Sequence, residues 1–129
     1  MLWSKDKSST SASQQSGDIA EQIAATHLTE KGLVVVANNV HCRQGEIDLI
    51  MKDHDTFVFI EVKYRKNTSF GGAIAAIPYK KQQKIIKTAT IYLQQQGLKE
   101  YNTPCRFDVV AIDGDLNHPE ITWLKNAFD

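Results

Sequence analysis

The sequence predicts an α/β domain of three layers, in which a central mixed sheet is covered on each side by one helix. A helical apolar period precedes three strand-like runs, and a second helical period follows them. Between them Phe57-Val58-Phe59-Ile60-Glu61-Val62 is apolar on both faces. A strand with no solvent face belongs in the middle of a covered sheet, and one helix before and one after the strands can supply the two covers. The expected order is α-β-β-β-α-β-β.

Residues 1–16 are polar, Ser-rich and aperiodic beyond the first three, which predicts a flexible tail, with one domain over 17–129. Ser16 is a candidate N-cap; Asp18 and Glu21 suit the first helical turns, and Ile19, Ala20, Ile23, Ala24 and Leu28 recur at helical spacing up to Gly32. Residues 33–37, 45–51 and 57–64 are rich in β-branched and aromatic residues and predict three strands. Residues 65–76, with Asn67, Ser69, Gly71 and Gly72, predict a mobile loop. Pro78 then suits a helix start, and Ile85, Ala89, Tyr92 and Leu93 share one face of a helix ending near Gly97. Two final strands are expected over 106–112 and 120–124.

At 129 residues the chain can bury a core without disulfides or a structural metal. Cys42 and Cys105 lack zinc-site spacing and are too few for a disulfide framework. No secretory h-region or membrane-length apolar run is present, so the expected setting is the cytoplasm, with no membrane partner. The formal net charge is zero, which argues against a polyanion-binding protein until its distribution is considered. Residues 63–106 hold nine cations and one acid, while the segments on either side are both acidic. This asymmetry fits either a local surface for an anionic ligand or a solvated helix face.

Asp48, Glu61 and Lys63 stand where packing alone would favour apolar residues. If 53–56 form a four-residue loop, Lys52 pairs with Phe57 and Asp48 falls opposite Glu61; a five-residue loop separates the two acids onto opposite faces. Glu61 and Lys63 share a face in either case. Mg²⁺ favours a few carboxylate oxygens with positions left for water and phosphate, so the set suits metal-dependent phosphodiester hydrolysis. It equally suits the solvent boundary of a buried strand. Lys81 and Lys84 share a helical face and fit a phosphate contact or ordinary solvation. Glu46 reads better as a solvent-facing strand residue than as a supporting acid. His27, His41, His54 and His118 show no ligand spacing. Arg106 and Asp108 alternate on one strand and suggest an internal ion pair without chemistry.

From about Gly17 to Phe128 the chain resembles the YraN-like family of small bacterial proteins, assigned to the restriction-endonuclease-like, PD-(D/E)xK nuclease superfamily and close to archaeal Holliday-junction resolvases. The matching pieces, in order, are Gly17 with Glu21, Gly45-Glu46-Ile47-Asp48-Leu49-Ile50, Phe59-Ile60-Glu61-Val62-Lys63-Tyr64-Arg65, Phe70-Gly71-Gly72, Lys81 with Lys84, and Cys105-Arg106-Phe107-Asp108-Val109-Val110-Ala111. Ile47 stands where the motif's name has proline.

The resemblance implies a three-layer restriction-endonuclease-like fold and a Mg²⁺ or Mn²⁺ site with Asp48 and Glu61 as ligands. The Val62 carbonyl is a further donor, and Glu21 is the helix-one acid reaching the metal directly or through water. Lys63 is then the catalytic lysine, while Lys81, Lys84 and Arg65 are nucleic-acid contacts. The activity implied is that of an endonuclease hydrolysing DNA, including branched or processed structures. A nucleic-acid-binding module without turnover is the alternative, and a purely structural interaction domain is a third reading. Resolvase-like proteins often act as dimers because a four-way junction offers two symmetric cuts, which adds a homodimer to the expectations.

Overall fold

The computed structural model describes residues 12–66 and 77–129. Its elements are α1 (Ala12–Glu30), β1 (Val34–Cys42), β2 (Gly45–Asp53), β3 (Thr56–Arg65), α2 (Tyr79–Gln95), a 3₁₀ turn (Glu100–Asn102), β4 (Cys105–Asp113) and β5 (Glu120–Phe128). The expected element order is therefore found. The five strands form one mixed sheet in the order β1-β2-β3-β4-β5. All neighbours are antiparallel except β3 and β4. Helix α2 forms the connection that two parallel neighbours require.

Strand β3 is central, and alternate side chains serve different layers. Phe57 and Phe59 join the core that includes Ile85, Ala89, Tyr92 and Leu93 of α2. Val58 and Ile60 join the core that includes Ala20, Ala24 and Leu28 of α1. On the α2 side, Phe57, Phe59, Phe107 and Phe128 form a run of stacked rings 5.3–6.3 Å apart, and Tyr92 meets Phe59 edge-on. Such pairs add about 0.5–1.5 kcal/mol beyond simple burial.

Several boundaries differ from the sequence expectation. The helix begins at Ala12, so residues 12–16 are helical and Ser16 is not its N-cap. Extending an existing helix through Ala and Gln is cheap compared with starting one. Strand β1 runs on through Asn38 and Asn39 to Cys42, past residues that resemble breakers. A register shift between Val35 and Ala37 and a left-handed Asn39, φ 49°, let β1 keep pairing with β2. Strand β5 likewise continues through Asn126, φ 54°, opposite a register shift between Phe107 and Val109. Residues 1–11 of the expected tail and 67–76 of the expected loop, with Phe70-Gly71-Gly72, lie outside the described residues.

Candidate metal centre

The β2–β3 hairpin brings two acids together by register. Lys52 pairs with Phe57 and Leu49 with Ile60. Asp53 also pairs with Thr56, so the turn is the two residues His54 and Asp55 rather than four. Shortening a loop by one residue from each strand leaves the faces unchanged. The paired register ends at Leu49 and Ile60, and Asp48 and Glu61 are the next residues outward on the two strands.

There the ladder changes character. The Val62 N–H donates to Asp48 Oδ2 at 2.8 Å, so a side-chain carboxylate takes a hydrogen bond that a main-chain carbonyl would accept in a continued ladder. Glu61 lies close enough for its charge and carboxyl group to act on the Asp48 carboxyl. Glu61 is only 5% exposed and forms an ion pair with Lys81 Nζ from the first turns of α2. Removing an acid so far from water is tolerated when a partner meets it.

The electrostatics mark Asp48 as the strained member of the pair. Burial, then the charge and hydrogen bond of Glu61, push its carboxyl well above the usual 3.8; the Val62 N–H opposes the shift and Glu21 adds to it. Burial lowers the affinity of the Lys81 ammonium for its proton. The hydrogen bond and charge of Glu61, supported by Asp48 and Glu46, outweigh burial and raise it above 10.5.

Glu21 on α1 is near enough for its charge to act on Asp48. It lines a cleft of about 200 Å³ with Asp18, Gln22, Asn38 and Leu49. Among the described residues, however, no three or more His, Cys, Asp or Glu side chains form a metal-holding group. The contact pair is thus Asp48 with Glu61, and Glu21 stands at longer electrostatic range. The donors are all oxygen and bear more negative charge than Lys81 balances, which suits a hard divalent cation such as Mg²⁺ or Mn²⁺.

The remaining candidates are distributed around this pair. Lys63 follows Glu61 by two residues, on the same face of β3, and is part-buried. Lys84 lines a groove of about 440 Å³ with Gly45, Glu46, Lys80 and Lys81. Arg65 is the last residue of β3, in register with Asp113 of β4. Glu46 is exposed, as expected for a solvent-facing strand residue.

The direct Lys81–Glu61 contact is absent from the sequence reading, which placed Lys81 among the phosphate contacts. An acid at the end of a buried strand needs a cation, but the nearest in sequence is Lys63, and only docking of α2 reveals the partner. The Arg106–Asp108 pair is present at 3.1 Å, and Arg106 also reaches Asp53 at 3.1 Å. Asp108 additionally accepts from the Trp123 indole at 2.9 Å and the Asn126 N–H at 2.8 Å. This part-buried network joins the end of β2 to β4 and β5.

The model of the Uncharacterised protein family UPF0102 matches residues 20–112. A "UPF0102 protein" of Colwellia psychrerythraea is 55% identical over 129 residues, covering 99% of this chain and 100% of the relative. One of Legionella pneumophila (strain Corby) is 52% identical over 116 residues, with 90% and 96% coverage. One of Stutzerimonas stutzeri is 47% identical over 119 residues, with 92% and 98% coverage. A family match spanning all three acids, with relatives matched along almost their whole length, establishes that the chain belongs to the uncharacterised protein family UPF0102.

Proposed function

We propose that this protein is a Mg²⁺- or Mn²⁺-dependent endonuclease of the restriction-endonuclease-like class, hydrolysing phosphodiester bonds in DNA, including branched structures. The observation carrying this reading is the convergence of Asp48, held by the Val62 N–H, and the buried Glu61 at the end of one hairpin, where Glu61 helps to hold the Asp48 carboxyl well above its ordinary pKa. Like charges so placed destabilise a sheet. A fold tolerates such a cost most readily at a functional site.

Asp48, Glu61 and the Val62 carbonyl would hold the ion, with Glu21 adding charge or a bridging water from α1. When bound, the ion would supply Lewis-acid stabilisation of charge on the phosphate oxygens. Lys63 would orient the attacking water or the scissile phosphate from the face of Glu61. Lys81 would fix the Glu61 carboxylate through its ion pair. The Val62 N–H would hold Asp48 in its rotamer.

Cleavage of linear, flapped and four-way DNA with Mg²⁺ or Mn²⁺ tests this mechanism. Wild-type protein should cut at least one substrate, and Asp48→Asn and Lys63→Ala should each lose at least a hundredfold. Activity unchanged in both variants would remove the mechanism. A binding module without turnover is favoured by one observation, the absence of a three-donor cluster among the described residues. Salt-sensitive DNA binding with no metal-dependent cleavage by wild-type protein selects that reading.

A further inference from the structure

Helix α2 contains Lys80, Lys81, Lys84 and Lys87 and no acid. Its first turn offers no carboxylate and no side-chain cap to offset the two leading lysines. Cations at that end oppose the helix dipole, and four unmatched lysines gain nothing from i,i+4 pairing with acids. Lys81 is accounted for by Glu61. Lys80, Lys84 and Lys87 are exposed, and none forms an ion pair among the described residues.

The spacing of these three lysines is i, i+4 and i+7, which aligns them on one stripe, away from the buried Ala89 and Leu93. At the helical rise the stripe spans about 10 Å, or roughly three nucleotides of one strand. The β1–β2 turn extends it. A Cβ on Gly45 would meet Thr88 Oγ1 at 3.0 Å and Lys84 Cβ at 3.4 Å, so the hairpin tip lies directly against α2. Cys42 pairs with Gly45, which leaves Arg43 and Gln44 as the exposed turn beside that contact. The groove lined by Lys80, Lys81, Lys84 and Glu46 connects the stripe to the acid pair through Lys81.

We infer that Lys80, Lys84, Lys87 and Arg43 form a track for the phosphate backbone of one nucleic-acid strand, leading from the Asp48–Glu61 site along α2 to the β1–β2 turn. The inference rests on the nuclease reading for its orientation, but its energetics are separate. Each contact releases counterion, so it contributes to the salt dependence of binding whether or not the strand is cut. Glu46 lines the same groove and would repel a polyanion, which limits the track to the outer side of the helix.

The test is fluorescence anisotropy of a labelled single-stranded oligonucleotide, in EDTA, between about 50 and about 200 mM salt. Lys80→Gln, Lys84→Gln, Lys87→Gln and Arg43→Gln should each reduce the slope of log K against log salt by about 0.7. Lys31→Gln, just beyond the C-terminal end of α1, should leave it unchanged. Unaltered slopes in Lys87→Gln and Arg43→Gln, an equal loss in Lys31→Gln, or no binding by wild-type protein overturns the track. Cleavage by wild-type protein with unaltered variant slopes rejects the track and keeps the nuclease reading. Reduced slopes without metal-dependent cleavage keep the track and reject that reading.

Discussion

Replacing Asp48 by Asn should stabilise the metal-free protein while abolishing its proposed activity. The charge of Glu61 acts on Asp48, Glu61 is 5% exposed, and Lys81 already balances one of the two charges. The remaining negative charge, on the half-buried Asp48, has a neighbouring acid and shares the field of Lys81 with it. Opposed like charges on a sheet cost up to about 1 kcal/mol when exposed, and burial raises this to about 1–2 kcal/mol. Asparagine keeps an acceptor for the Val62 N–H and adds a donor for Glu61. For a domain of this size the gain corresponds to a Tm increase of about 3–8 °C at pH 7 in EDTA. The pH dependence gives the sign. Because the folded carboxyl titrates above the unfolded value of 3.8, the folded chain binds more protons over that interval, and wild-type stability falls as pH rises through it. The advantage of Asp48→Asn should therefore be absent below about pH 3.8 and grow to a plateau above the folded pKa. Urea melts of both proteins from acid to neutral pH measure this difference. A variant less stable than wild type at pH 7, or a difference independent of pH, refutes the reasoning.

Asp108→Ala should cost about 3–5 kcal/mol in urea unfolding because it removes the fully buried acceptor shared by the part-buried Arg106, the Trp123 indole and the Asn126 N–H, and adding Arg106→Met should recover part of that loss. Lys81→Gln leaves Glu61 buried without its cation; since Lys81 itself is 44% exposed, the expected cost is reduced to about 1–2 kcal/mol, read from the urea midpoint. Gly45→Ala forces a methyl against Thr88 and Lys84 and should lower stability by about 1–3 kcal/mol, with a loss of DNA affinity as the hairpin tip moves from α2. Mg²⁺ at one hundred times its dissociation constant should stabilise wild-type protein by about 2.7 kcal/mol, and should add much less to Asp48→Asn in differential scanning fluorimetry.

The fold was legible where periodicity and burial agree. The doubly apolar β3 and the Ile85–Leu93 face of α2 announced a covered sheet, and the Lys52–Phe57 register survived an error in loop length because that error was symmetric. Strand ends were less legible. Asn39 and Asn126 carry positive φ inside strands, a conformation that only cross-strand pairing makes worthwhile. At the site, local spacing left two registers for Asp48 and Glu61, one of which places them on one face, whereas Lys81 depends on how a helix twenty residues away packs. Its partnership with Glu61 is a tertiary fact with no local pattern.

The Val62 N–H that Asp48 holds at 2.8 Å gives the site a built-in probe. This amide proton belongs to the backbone, so no substitution is needed to observe it. Its ¹⁵N–¹H resonance should report the charge state of the carboxylate beside it, because protonation or cation binding at Asp48 changes the acceptor strength of that bond. Solvent exchange at this one amide then separates loosening of the site from opening of the whole sheet: motion confined to Asp48 frees Val62 while the Leu49–Ile60 pair next to it remains protected.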